Sequence, residues 1–154
     1  MSEVRRVADQ LRRSWKGPAW HGASLLALLE DVTADEATRR PVASAHSIAE
    51  LVEHITVWLR AADRGLDDHL IQPDSEADWP APGEWRASLQ ALETVIEQLA
   101  VRIEGMTDED LKRRVRGTEG EYSRYFLFHG VTQHNLYHAG QLALLKKALR
   151  QTAS

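Results

Sequence analysis

The residues of this 154-residue chain best suited to chemistry lie near its C-terminus, in Gly130-Val131-Thr132-Gln133-His134-Asn135-Leu136-Tyr137-His138-Ala139-Gly140-Gln141-Leu142-Ala143-Leu144-Leu145. In helical phase Leu127, Val131, His134, His138, Leu142 and Leu145 fall on one stripe, the spacing that buries a helix face against a bundle. Two imidazoles therefore stand where the pattern asks for leucine. Burying an unpaired polar ring is costly, so each needs a protein partner or a shared ion. Residues four apart on a helix face are roughly 6 Å apart at Cβ, a spacing that suits two ligands of one metal. A third imidazole, His54, occupies a leucine-like position one turn after Leu51 and one turn before Trp58. Three neutral imidazoles with a vacant position form a catalytic zinc arrangement, and imidazole also suits nickel, copper and iron. The rival reading of every ring is a hydrogen-bonded core histidine.

The other histidines fit the pattern less well. His129 is rotated off the stripe by more than a third of a turn, His69 falls in a connector, and His46 and His21 lie outside the apolar faces. Glu50, one turn before His54, is placed to bond that ring, although a capping role competes for it. Gln141, three residues after His138, is placed to orient a ligand or touch substrate. Zero cysteines exclude disulfides, thiolate ligands and a protein-borne thiol nucleophile. Any sulfur chemistry must bring its own thiol.

Four amphipathic segments must position these residues. Val4, Val7, Leu11 and Trp15 form the first stripe, Lys16-Gly17-Pro18 interrupts it, and Leu25, Leu28, Leu29 and Val32 continue it. The two pieces are expected as one kinked helix ending near Asp31. Thr33 is expected to cap a single turn through Glu36, and Pro41 to stop it. Ser47-Ile48-Ala49-Glu50 fits a capping box and opens the second helix, with Ile48, Leu51, Val52, Ile55, Trp58, Leu59 and Ala62 on its apolar face. A connector of about 20 residues runs from Asp63 to Pro82; extended at ~3.3 Å per residue, it can cross the whole length of a helix, so helices two and three can run parallel. Trp85, Leu89, Leu92, Ile96, Leu99 and Ile103 make a bundle seam from about Gly83 to Glu104. Gly105 ends it, a short turn begins at Thr107, and the last helix runs from about Tyr122 to Leu149. Nothing in the chain reads as strand. Four such stripes cover one another most economically as an all-α four-helix bundle, a single domain over residues 1–154.

Composition narrows the function classes. With 43% hydrophobic and 27% charged residues the chain has the balance of a soluble globular domain, and no apolar run approaches the ~20 residues of a membrane span. A net charge of −4 without a basic block argues against a nucleic-acid surface. The first residues lead into amphipathic helix rather than an apolar signal region, so a cytoplasmic location is expected.

His46-Ser47-Ile48-Ala49-Glu50-Leu51-Val52-Glu53-His54-Ile55, followed by Trp58, resembles the first metal-histidine segment of DinB-like (YfiT-like) proteins. His129-Gly130-Val131-Thr132-Gln133-His134-Asn135-Leu136-Tyr137-His138-Ala139-Gly140-Gln141 is similar to their second segment, a histidine pair followed by Gly-Gln. Gly17-Pro18-Ala19-Trp20-His21-Gly22 and Asp78-Trp79-Pro80 resemble further stretches of that superfamily, so the similarity covers nearly the whole chain. The resemblance implies up-down-down-up connectivity, a homodimer, and one divalent metal, zinc or nickel, on residues matching His54, His134 and His138. It implies activities such as transfer of a low-molecular-weight thiol, thiol-dependent isomerisation or metal-dependent hydrolysis on a small-molecule substrate, and no DNA binding. On that reading the metal activates a cosubstrate thiol for S-transfer to an electrophile; the alternatives are a hydrolase using activated water and a noncatalytic metal-binding or sensing bundle. Gly130, one turn before His134, leaves room beside the site, and Trp20 and Tyr137 are expected as its walls.

Overall fold

Arginines on one side and Val4, Val7, Leu11 and Trp15 on the other make Glu3–Lys16 an amphipathic helix, α1, with the apolar residues buried. The computed structural model describes residues 1–73 and 78–151. Helix α1 stops at Gly17, which takes the left-handed φ of 66° while its amide bonds Arg13 O at 3.0 Å. The expected kinked helix is therefore not formed. Proline at position 18 lacks an amide proton and cannot continue the ladder, and helix returns only as a five-residue turn, α2 (Leu25–Leu29), capped by the Ser24 hydroxyl. Leu25 and Leu29 still reach the core.

Helix α3 (Ala34–Thr38) opens on the capping box of Thr33 and Glu36. Helix α4 (Ile48–Gly65) opens on that of Ser47 and Glu50, in which Glu50 accepts from the Ser47 amide at 2.7 Å and Ser47 Oγ from the Glu50 amide at 3.2 Å. Its apolar face, Ile48, Leu51, Val52, Ile55 and Leu59, is buried. Helix α5 (Trp85–Glu104) starts on Glu84, whose carboxylate accepts from the Arg86 and Ala87 amides, and its Leu92, Ile96, Leu99 and Ile103 seam is buried. After a 3-10 turn at Asp110–Lys112 comes an antiparallel hairpin of β1 (Arg114–Gly117) and β2 (Gly120–Ser123), and then the longest helix, α6 (Arg124–Gln151).

That hairpin corrects the expectation that no strand is present. Each strand has four residues and a single sizeable apolar side chain, Val115 in β1 and Tyr122 in β2, too few to show an alternating pattern. Gly117 is required by close approach: a Cβ there would lie 2.4 Å from the Tyr122 ring. The hairpin also captures the long connector, through the Ile71 amide bonding Arg116 O at 2.8 Å.

The four long helices pack with α1 and α4 each against both α5 and α6. Polar pairs mark the register. Arg12 of α1 bridges Glu97 and Glu104 of α5, and the Val4 amide reaches Asp108 at 3.0 Å. Glu53 accepts from Ser88, and Asp63 pairs with Arg102 at 3.0 Å, so residue numbers rise together along α4 and α5. Between α4 and α6 they run oppositely: His54 meets His134, and Leu66 O accepts from Arg124 at 3.2 Å. Among the described residues no helix is long and apolar enough to cross a membrane.

Candidate metal centre

His54 projects from the inner face of α4, and His134 and His138 from successive turns of α6. His54 and His138 are only 5% and 4% exposed, so burial has removed their water and other partners must replace it. The ring nitrogens provide them on the outer side. His54 Nδ1 donates to Asp78 O at 2.8 Å and lies 3.2 Å from Asp78 Oδ1. His138 Nδ1 donates to Gln141 Oε1 at 2.6 Å. Oxygen atoms of this kind only accept, so both rings carry a proton on Nδ1, and as neutral imidazoles they present a bare Nε2 lone pair inward.

These inward nitrogens converge. His54 Nε2 lies 3.1 Å and His138 Nε2 3.0 Å from His134 Nε2, and one ligand atom from each of the three residues lies within 4.8 Å of the others. His134 has at most one proton to offer at Nε2, so it can bond one neighbour, and a lone pair must face a lone pair at the other. A cation relieves that conflict for all three at once. Ligand nitrogens about 2.0–2.1 Å from a tetrahedral ion stand about 3.3 Å apart, close to the spacing seen. Protons do not substitute easily: burial, and then the neighbouring His138 and His54, push the His134 pKa down to about 4. Burial likewise lowers that of His138, against the Gln141 bond that raises it. The donor set therefore fits a divalent metal.

Aromatic rings close the site from one side. Trp79 stacks on His54 at 3.9 Å between centroids and on His46 at 3.5 Å, so the indole lies between two imidazoles. Trp58, one turn after His54, presents its edge to His54 and His134 and donates to Asp78 Oδ1 at 2.6 Å. Asp78 thus ties the connector to both the ligand and the indole. Tyr137, largely exposed, meets the edge of His138 at 5.0 Å.

Two cavities adjoin the cluster. One, of about 420 Å³, is lined by His54, His134, Trp58, Tyr122, Phe126 and Gly130, among others. The other, of about 380 Å³, lies beyond Trp79 against His46, Tyr137, His138 and Gln141. A larger hollow of about 900 Å³ between Trp15, Glu93 and Arg102 is remote from the three histidines.

Several expected neighbours are elsewhere. Glu50 does not bond His54; its carboxylate is held by Ser47 and Arg40, as its capping role requires. Trp20 is fully exposed and faces a separate cavity with Arg13, Thr132 and Leu136, on the side of α6 away from His134, because the chain leaves the α1 axis at Gly17. His129 rests against Tyr125 outside the cluster, His69 is exposed in the connector, and His21 lines the cavity of Trp20. Conversely, Trp58 reads as core by spacing but borders two of the rings. The roles of Asp78 and Trp79 leave no periodic signal, since they sit in a connector; only their likeness to a stretch of a known family marks them.

A helical bundle with three converging histidines on two of its long helices defines a class, and sequence comparison gives it a name. The model of the DinB superfamily matches residues 19–142, and the chain belongs to that superfamily. Among solved structures, a DinB-like protein of Bacillus subtilis, YjoA, is similar in fold, with a TM-score of 0.62 over 98% of this chain and 92% of that one at 18% identity. No curated protein gives a significant match.

Proposed function

We propose that this chain is a metal-dependent enzyme that transfers a low-molecular-weight thiol to a small electrophile, with His54, His134 and His138 as ligands of one divalent cation, zinc or nickel. The observation that carries the reading is the convergence of three Nε2 atoms, two on buried rings and one, His134, on a half-buried ring beside a cavity, with His54 and His138 each bonded through Nδ1 to an oxygen. When bound, such a cation supplies Lewis acidity, drawing the proton from a thiol or a water near neutral pH.

The chain's own residues do the rest. Asp78 and Gln141 fix the orientation of His54 and His138 and keep their protons on the far nitrogen. Trp79 and Trp58 exclude water from one side of the rings, and the cavity bordered by His54 and His134 receives the electrophile beside the ligands. Without cysteine the chain cannot form a covalent thiol intermediate of its own, so the nucleophilic sulfur belongs to a cosubstrate.

The surrounding features belong to the same reading. Residues 1–154 form one DinB-like domain of up-down-down-up connectivity, supported by the numbering that rises together between α4 and α5 and oppositely between α4 and α6. The protein works in the cytoplasm as a homodimer without nucleic-acid or membrane partners, as the family resemblance and acidic balance suggest.

The test is to purify the protein without a histidine tag, assay its metals, and follow thiol consumption with a generic electrophile with and without added zinc or nickel. Stoichiometric metal with metal-dependent thiol loss is expected. Ester hydrolysis without thiol loss would assign the hydrolase alternative, and metal binding with no turnover on either panel the noncatalytic one. His138→Ala should lose tight metal binding; unchanged metal content in that variant would refute the site.

A further inference from the structure

Gly130 lies in the interior of α6, four residues before His134, and lines the 420 Å³ cavity. Glycine inside a helix is destabilising relative to alanine, so a helix keeps one at no benefit unless close packing or open space requires it. Close packing does not require it here: among the described residues, a Cβ built at Gly130 meets no atom within 4 Å, and its φ is not in the left-handed region. The missing side chain leaves the cavity wider by the volume such a side chain would fill.

The remaining walls say what that space suits. Trp58, Ile71, Tyr122, Phe126, Leu127 and Val131 are apolar or aromatic over most of their surface, and the polar atoms are concentrated at His54, His134 and Asp78. Asp78 has its carboxylate turned to Trp58 and His54, and among the described residues no lysine or arginine lines the cavity, so away from the histidine edge nothing balances a ligand's negative charge. Its volume falls within the range of small-molecule sites.

We infer that this cavity is the specificity pocket for an uncharged, apolar and aromatic-sized portion of the electrophilic substrate, and that the open space over Gly130 sets the size it accepts. The substrate's apolar body lies between the aromatic rings and α6, and its reactive end faces the His54 and His134 edge. This inference rests on the reading of the three histidines as a metal site only for the word substrate; the pocket and its size limit are tested without turnover.

The probe is N-phenyl-1-naphthylamine, a neutral aromatic dye that brightens in apolar surroundings, titrated into zinc-loaded and metal-free protein, with its sulfonated relative 1-anilinonaphthalene-8-sulfonate as the charged comparison. Zinc affinity is measured in parallel by chelator competition. Saturable one-site binding of the neutral dye is expected in both forms, with the sulfonate at least tenfold weaker in the metal-free form, where no cation stands at the histidine edge to attract it. Gly130→Leu should weaken the neutral dye at least tenfold and leave zinc affinity unchanged. Gly130→Ala should weaken it less while raising the Tm by roughly 2–4 °C, since it removes a helix glycine, and it carries the test if the leucine variant does not fold. Gly140 of α6 also has no neighbour within 4 Å among the described residues and lines none of the cavities described; Gly140→Ala should raise the Tm similarly without touching dye binding. Absence of neutral-dye binding in folded wild-type protein, or dye affinity unchanged in both Gly130 variants, overturns the inference. Dye binding that responds to Gly130 in a protein that takes up no zinc upholds the pocket and overturns the metal reading instead.

Discussion

Gln141 accepts the Nδ1 proton of His138, so that, like Asp78 at His54, a residue outside the ring cluster orients one inside it. Gln141→Ala frees that ring to change tautomer and turn, and metal affinity should fall about 10–100-fold; Gln141→Glu, which keeps an acceptor, should restore most of it in a competition titration with a chromophoric chelator. Glu50→Gln should leave the same affinity unchanged, because Glu50 spends its carboxylate on Ser47 and Arg40. Acid should weaken the metal-free fold through His134. Its pKa is about 4 folded against an ordinary 6.5, so below about pH 6.5 the unfolded chain takes up a proton that the folded chain refuses. Stability contributed by this group is intact above pH 6.5, falls between about 6.5 and 4, and levels off below 4. Urea titrations of metal-free protein across that range should show the decline, and His134→Gln should shrink it, leaving the share that comes from the lowered pKa of His138. The ring positions were legible because histidine broke a leucine stripe at His134 and His138 and again at His54. The supports were not. A backbone carbonyl such as Asp78 O carries no side-chain identity, and Trp58 obeys the core spacing while also facing the site.

Among the elements, the starts of α3 and α4 were written plainly in sequence, because a capping box is a local bargain between residues three apart. Ser47→Ala should destabilise the protein by about 1 kcal/mol in chemical denaturation without altering the metal stoichiometry. The break after α1 was legible as a break but not as an end: Gly17-Pro18 signals interruption, and whether helix resumes on the same axis is decided by packing of Leu25 and Leu29, which a local pattern does not encode. The hairpin was hidden for a related reason. Four-residue strands bounded by Gly117 and Gly120 are stabilised by Val115 in the core, by the register of β1 against β2 and by the Ile71 contact, all of them tertiary. Gly117→Ala places a methyl against the Tyr122 ring and should lower the Tm by several degrees, measured by circular dichroism.

At the scale of the molecule, the apolar faces of α1, α4, α5 and α6 announced a helical bundle; the connector, expected from Asp63, begins only after Gly65, because α4 runs one more half-turn than its breakdown in pattern suggests, and it is still long enough to let α4 and α5 share a direction. Part of that connector, residues 74–77, lies outside the described residues. A metal that grips α4 and α6 together stabilises only the assembled state. At a free zinc concentration 100 times its Kd the gain is about 2.7 kcal/mol, or roughly 5–10 °C in Tm for a domain of this size; His134→Ala should abolish the response in differential scanning calorimetry.

His54 and His134 stand 80 positions apart in the chain, and Thr118 and Glu119, between the two strands, fall in that interval. A chain severed there leaves one of the proposed ligands on the longer fragment and two on the shorter, so neither piece holds all three histidines. Coexpressed halves should therefore reassociate more tightly when zinc is supplied and separate under a chelator, turning the bundle into a metal-gated two-part reporter.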